Sequence, residues 1–246
     1  LIFPARYHSL NIVMDYYCST KFTDMMVHVQ SRLLYNCCKA YPERLELDWL
    51  EANPGRVFYT DTMLADRKLM LEGKSCASCH HGCYKYEEQG LSSTRLQQDN
   101  HEVISDTGAP LKRLQISLST DCNMTCMYCG PEWSTSWHKD IKKNGAHELI
   151  GFKLDNDNFS DLWAKIKQKS RSTDSRFFDL LLKEIKLADG LERISILGGE
   201  PLLNNQLEAV IDVSGDKEFS IITGLGVSYS RLSNLLKKIK NKKIKF

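Results

Sequence analysis

No apolar run in these 246 residues approaches the roughly twenty that a helix needs to cross a bilayer. A membrane-spanning helix is therefore not expected. The first residues, LIFPARYHSL, lack the long apolar core of a secretory signal. The chain begins at Leu1 rather than Met, so its true start, with any targeting segment, is expected to be missing. Neither sign of charge dominates: 33 Lys and Arg against 31 Asp and Glu leave a net charge of +2. That balance gives no whole-molecule argument for a nucleic acid or membrane partner. There is no internal repeat and no long low-complexity segment. Cysteine is absent after Cys129, yet there are nine up to and including that point. An odd number without an export signal argues against a secreted disulfide scaffold. Thiols at short spacings in a reducing, cytoplasmic compartment read instead as ligands of a metal or cluster.

What is present suffices for a folded core. Hydrophobic residues make up 42% and charged residues 26%, as in ordinary globular proteins. The polar, turn-rich stretch QQDNHEVISDTGAP suggests two parts, residues 1–107 and 108–246. In the first, MMVHVQ and LLYNCC around Ser31-Arg32 read as a hairpin that delivers Cys37 and Cys38. LELDWLEA and DTMLADRKLMLEGK read as helices, stopped by Asn53-Pro54-Gly55 and Gly73. CASCHHGC follows, with Cys76, Cys79 and Cys83.

In the second part, Leu114, Ile116 and Leu118 alternate as in a strand. Residues 140–175 read as a polar insertion with a short helix around Leu162, Trp163 and Ile166. Phe177, Phe178, Leu181, Leu182 and Ile185 have helical spacing, with Gly190 as the stop. RISIL is a second strand. A helix around Leu203, Leu207, Val210 and Ile211 follows, then the strand EFSIIT. Ser228 caps a helix through Leu232, Leu235, Leu236 and Ile239, and KIKF begins a fourth strand. This alternation predicts an α/β fold with a parallel sheet. About four strand positions fit, which is half of a barrel.

The strongest chemical signal is TDCNMTCMYCGPEW. Cys122, Cys126 and Cys129 lie in a loop directly after a strand, where a chain can wrap an inorganic core. Three thiolates on a four-iron cluster leave one iron open to a further ligand. A zinc site is the alternative, with His138 as a fourth ligand.

Cys122-x3-Cys126-x2-Cys129, with Tyr128 before the last cysteine, resembles the signature of the radical S-adenosylmethionine (SAM) superfamily. Gly198-Gly199-Glu200-Pro201 after the second strand resembles that family's GGEP motif. The resemblance covers about residues 110–246, the first half of a partial (βα) barrel. It implies that Cys122, Cys126 and Cys129 ligate a [4Fe–4S] cluster whose open iron takes SAM. It further implies that Gly198, Gly199, Glu200 and Pro201 line the methionine end, that Tyr128 lies near the adenine, and that Thr223 contacts SAM. Thr223 could equally satisfy local backbone at a strand end, and Gly224 stands where the family often has asparagine. Reductive cleavage of SAM would then give a 5′-deoxyadenosyl radical that takes hydrogen from a substrate, with flavodoxin or ferredoxin as reductant. The substrate is unnamed by the sequence; analogy alone leans towards a peptide or protein.

Cys18, Cys37-Cys38 and Cys76-x2-Cys79-x3-Cys83 resemble the auxiliary-cluster modules called SPASM and twitch, here preceding the barrel as a small cysteine-rich α+β module. The expected ligands of this auxiliary iron–sulfur cluster are Cys18, Cys37, Cys76 and Cys79, with Cys38 and Cys83 as alternates. Structural zinc held with His80 or His81 remains an alternative, as does haem attachment at Cys76-Ala77-Ser78-Cys79-His80. The rival to an enzyme is a non-catalytic zinc or iron–sulfur protein. Lysines 237–245 read as a solvated helix end, since the aromatics of a nucleic-acid surface are not interleaved with them. Trp133 and Trp137 read as packing residues beside the cysteine loop.

Overall fold

Seven short strands form one sheet in the computed structural model, which describes residues 16–98, 103–131, 133–145, 147–149, 152–154, 175–239 and 244–245. The strands are β1 (Asp24–His28), β2 (Leu33–Tyr35), β3 (Glu43–Arg44), β4 (Arg113–Ser117), β7 (Arg193–Leu197), β8 (Glu218–Ile221) and β9 (Ile244–Lys245). Their order is β3-β2-β1-β4-β7-β8-β9. From β1 to β9 all neighbours are parallel; β2 and β3 add on antiparallel. A separate antiparallel pair, β5 (His147–Leu149) and β6 (Phe152–Leu154), lies in the expected insertion.

Period-two alternation decides which side chains are buried. Met25, Val27, Leu114, Ile116, Ile194, Ile196, Phe219 and Ile221 belong to one continuous core. Helices supply its other half. Helix α1 spans Leu47–Ala52 and α2 spans Asp61–Leu71, its N-terminus capped by the Thr60 hydroxyl accepting from the Met63 N–H. Helix α3 is Thr135–Asn144. Helix α4, Ser175–Leu187, buries Phe177, Phe178, Leu181 and Ile185. Helix α5, Leu207–Val213, buries Leu207, Val210 and Ile211, and α6, Tyr229–Ile239, buries Leu235 and Ile239. Two long-range bonds tie α4 to the turn after α1: the buried Glu184 carboxylate accepts the N–H groups of Gly55 at 2.6 Å and Val57 at 3.3 Å.

The opposite sheet face is more polar. Ser220 donates to Ser195 across β7 and β8 at 2.8 Å, and Met26, Leu33 and Tyr35 form a small cluster with Leu197.

Most of the expected elements stand close to their predicted places. The differences are informative. The helix expected from Leu203 is broken, because Pro201–Leu203 form a tight 3₁₀ turn before α5 begins at Leu207. The helix expected around Leu162, Trp163 and Ile166 lies outside the described residues. The parallel run has five strands rather than four, because β1 pairs with β4 from Asp24↔Arg113 to His28↔Ser117. The sheet therefore runs through the expected boundary at residue 107, and Met25, Val27 and Leu34 share a core with Leu114 and Ile116. This is mixed α/β architecture with a mostly parallel sheet, whose outer strands among the described residues are β3 and β9. Among the described residues, no helix is long and apolar enough to cross a membrane.

Candidate functional site

Parallel strands deliver their following loops to the same sheet edge. β4, β7 and β8 end in register there, Ser117 opposite Leu197 and Ile196 opposite Ile221. The cysteine loop leaves β4, the diglycine turn leaves β7, and Thr223 follows β8. Open α/β sheets bind ligands at this edge.

Side chains at the start of α3 hold the cysteine loop. The Cys122 N–H donates to Thr135 Oγ1 at 3.0 Å. The Thr135 and Ser136 hydroxyls donate back to the Cys122 carbonyl at 3.1 and 2.7 Å. Ser134 donates to the Met124 carbonyl at 2.9 Å while also capping α3 through the Trp137 N–H. The Trp137 indole N–H reaches the Cys126 carbonyl at 3.0 Å. Each of these bonds fixes backbone, while the Cys122 and Cys129 sulfurs lie 3.6 and 3.7 Å from the Met124 and Gly130 carbonyls. The three thiols are half-buried, whereas Met127 and Tyr128 at the loop tip are 91% and 93% exposed.

The diglycine turn docks directly on this loop. Gly198 (φ 82°) and Gly199 (φ 58°) both occupy the left-handed region. A Cβ on Gly198 would lie 2.1 Å from Ser117 Oγ, and one on Gly199 would lie 2.5 Å from the Asp121 carbonyl oxygen. Only glycine fits either position. The Glu200 N–H then donates to the Asp121 carbonyl at 2.7 Å, and Gly199 N–H to the Trp133 carbonyl at 3.2 Å.

Glu200 is only 2% exposed. Its carboxylate accepts the Thr223 hydroxyl at 2.5 Å, the Gly224 N–H at 3.0 Å and the Leu202 N–H at 3.1 Å. A carboxylate offers about four acceptor positions, so these three donors leave room for roughly one more. The resemblance implies Glu200 against a ligand, and for Thr223 either a SAM contact or a local backbone role. The structure places them against each other, where they clamp the end of β8 to the diglycine turn. Thr223 also accepts the Leu225 N–H at 2.9 Å, which is the local-backbone role. Pro201 is buried and opens the 3₁₀ turn. Tyr128 bonds to the Cys126 thiol, and this bond, with the nearby thiols, raises the pKa of its phenol.

The second group of thiols forms around the hairpin end. Cys18, Cys37, Cys79 and Cys83 line one small cavity, together with Lys21, Asn36 and Arg95. Cys83, an alternate by spacing, is among these lining residues. Cys76, expected as a ligand, lines the neighbouring cavity while hydrogen-bonded to Cys79, with its sulfur 3.6 Å from the Tyr84 hydroxyl and 3.7 Å from Ser78 Oγ. Cys83 lies four residues after Cys79, in the π-helical turn His80–Tyr84, a spacing that keeps both on one face of a helical turn. Cys38 is exposed and is not among the cavity's lining residues.

Burial raises the pKa of Cys18, and pushes that of Cys37 to about 11. Cys76 and Cys79 share a hydrogen bond that lowers Cys76 to about 6, with the Lys21 ammonium helping, and raises Cys79, with burial helping. Lys21 itself is buried and salt-bridged to Asp66 at 2.7 Å. Arg95, also buried, pairs with Glu87, to which Ser93 donates as well.

Among the described residues, no three His, Cys, Asp or Glu side chains are placed to hold one metal ion. A single zinc needs four ligands converged at about 2.3 Å; an iron–sulfur core is larger and takes thiolates spread around it. Three thiols on an anchored loop suit the cysteine ligation of such a core. So does the Asn36 side-chain nitrogen, which is buried in the thiol cavity wall without a protein acceptor; sulfur ligands would supply one.

A mostly parallel α/β sheet carrying a three-cysteine loop beside a diglycine turn is compatible with the radical SAM class. Two curated proteins named GTP 3′,8-cyclase support that superfamily at low identity. The protein of Aliarcobacter butzleri (strain RM4018) is 26% identical over 143 residues, which is 58% of this chain and 35% of the relative. That of Sulfurovum sp. (strain NBC37-1) is 24% identical over the same length and coverage. The chain thus spans about a third of the length of these relatives. No family model matches the sequence. No solved structure matches it either.

Proposed function

We propose that this chain is a radical SAM enzyme, or the cluster-bearing portion of one, with an auxiliary iron–sulfur site. The observation that carries the reading is the docking of the diglycine turn on the cysteine loop, through Glu200 N–H to the Asp121 carbonyl and two glycines that tolerate no Cβ. An electron carrier needs the loop but has no need of that second turn.

In this reading Cys122, Cys126 and Cys129 hold a [4Fe–4S] cluster. When bound, that cluster supplies the electron for cleaving SAM and an open iron to chelate it. The chain's own residues position these partners. Thr135, Ser136 and Trp137 fix the loop backbone so that the thiols keep their spacing. Gly198 and Gly199 let backbone approach the ligand's polar end, and the one remaining acceptor position of Glu200 suits an ammonium. Tyr128, exposed at the loop tip, is available to a planar ring. Ile222, 65% exposed beyond β8, offers apolar surface at the same edge.

At the second site we assign Cys18, Cys37, Cys79 and Cys83 as the auxiliary ligands. A reductant of the flavodoxin or ferredoxin kind would supply electrons, and the compartment would be the cytoplasm.

The test is anaerobic reconstitution with iron and sulfide, followed by dithionite and SAM. The expected product is 5′-deoxyadenosine, lost when Cys126 is replaced by alanine. Stoichiometric zinc with no iron after oxygen-free purification would favour the non-catalytic alternative.

A further inference from the structure

We propose that Leu225 is a SAM-contacting residue, held in a strained backbone conformation so that its side chain lies against the adenosyl part of the ligand. This rests on the radical SAM reading and adds a residue that neither the cysteine motif nor the diglycine motif includes. The loop after β8 runs Thr223-Gly224-Leu225-Gly226-Val227. Leu225 has φ 57°, in the left-handed region, where its Cβ crowds the following carbonyl oxygen. Glycine would sit there without that cost. Glycines stand on both sides instead, and neither Gly224 nor Gly226 has a positive φ. Those two are small for the sake of space. A Cβ on Gly224 would lie 2.4 Å from Met124 Cε, and one on Gly226 would lie 2.6 Å from Asn123 Oδ1. The chain thus places glycine where φ does not call for it, and leucine where φ does.

Bonds along the turn hold the strain in place. The Gly224 N–H donates to Glu200 at 3.0 Å, the Leu225 N–H to Thr223 Oγ1 at 2.9 Å, and the Val227 N–H to the Leu225 carbonyl at 2.8 Å. Asn123 Nδ2 donates to the Gly226 carbonyl from the cysteine loop. A disfavoured conformation fixed by its surroundings in this way is typical of ligand clamps and active sites. Folding does not account for the leucine, because its side chain is 53% exposed and recovers little by burial within the chain. A ligand covering that apolar surface would recover more.

Position selects the ligand. The residues flanking Leu225 lie against Asn123 and Met124, which directly follow Cys122 on the cysteine loop. Gly224 is bonded to Glu200, whose remaining acceptor position suits the methionine ammonium. The next residue along the loop is then placed for the part of SAM beyond its methionine end. That part carries the purine, whose flat face takes apolar contact and asks for no hydrogen bond. Ile222, 65% exposed on the same loop, extends the apolar surface.

The experiment compares the full chain as wild type, Leu225→Gly and Leu225→Met, each reconstituted with iron and sulfide without oxygen. SAM affinity is read by equilibrium dialysis of radiolabelled SAM, and stability by urea denaturation. Leu225→Gly is expected to weaken SAM binding by about fivefold or more, the value of covering half a leucine side chain. Its urea midpoint should stay level or rise, because the strain is gone. Leu225→Met keeps an apolar side chain and should bind SAM within about twofold of wild type. A lower midpoint in Leu225→Gly would assign the leucine to folding, and unchanged SAM affinity in that variant would remove the contact; either result overturns the proposal. So would a Leu225→Met protein that binds SAM as weakly as Leu225→Gly. Wild-type protein that holds its iron and sulfide yet fails to bind SAM would overturn the radical SAM reading, and this proposal with it.

Discussion

Gly199 and Glu200 carry more of the site than their side chains suggest. A methyl group on Gly199 would meet the Asp121 carbonyl while φ stays at 58°. Gly199→Ala is therefore expected to destabilise the fold by more than about 1 kcal/mol, read by urea denaturation, and to lower iron retention by the cysteine loop. Glu200→Gln removes the charge that gathers Thr223, Gly224 and Leu202. Charge-assisted bonds are worth about 1.5–3 kcal/mol each, so a loss of about 2 kcal/mol is expected, with weaker SAM binding by calorimetry. An unchanged stability would mean that the clamp is not needed. The cysteine spacing, the diglycine turn and the residues that follow were legible in sequence because they are local. The clamp was not, since Thr223 lies 23 positions from Glu200 and only the pairing of β7 with β8 brings them together.

Among the elements, the segment from Cys76 through the π-helical turn His80–Tyr84 gathers Cys76, Cys79 and Cys83. Sequence spacing favoured Cys76 with Cys79, a familiar two-residue gap. The structure keeps that pair hydrogen-bonded and adds Cys83, which lines the four-thiol cavity with Cys79 while Cys76 lines its neighbour. Cys83→Ser should therefore reduce auxiliary iron more than Cys76→Ser does, by iron analysis and electron paramagnetic resonance. The reverse ranking would return Cys76 to the ligand set. The following segment is held by Arg95 and Glu87, whose side chains are 9% and 16% exposed. Breaking such a pair costs about 3 kcal/mol, the loss expected for Arg95→Gln. Burial works against the Glu87 charge, but the bonds from Arg95 and Ser93 outweigh it and lower its pKa. A depressed carboxylate contributes its full stability above the ordinary unfolded value of about 4.3 and loses it as pH falls through the lower folded value. Acid unfolding of the wild type should thus steepen below about pH 4, and Glu87→Gln should flatten that limb.

For the whole molecule, the central fact is that β1 belongs to the same sheet as β4, with Met25 and Val27 in the common core. The chain read as two consecutive parts because composition changes near residue 100, while a parallel pairing between residues 24–28 and 113–117 leaves no local trace. Residues 108–246 expressed alone are expected to lack cooperative unfolding in circular dichroism, since the cut exposes the long edge of β4. A sharp transition from that fragment would establish an independent core. The account as a whole rests on one chemical claim, that the anchored three-cysteine loop holds a cluster able to cleave SAM. Its most direct measurement is 5′-deoxyadenosine formed by anaerobically reconstituted protein with dithionite and SAM. The account predicts this product from the wild type, with none above background from Cys126→Ala. Protein that carries its full iron and sulfide, binds SAM and still yields no 5′-deoxyadenosine would contradict it.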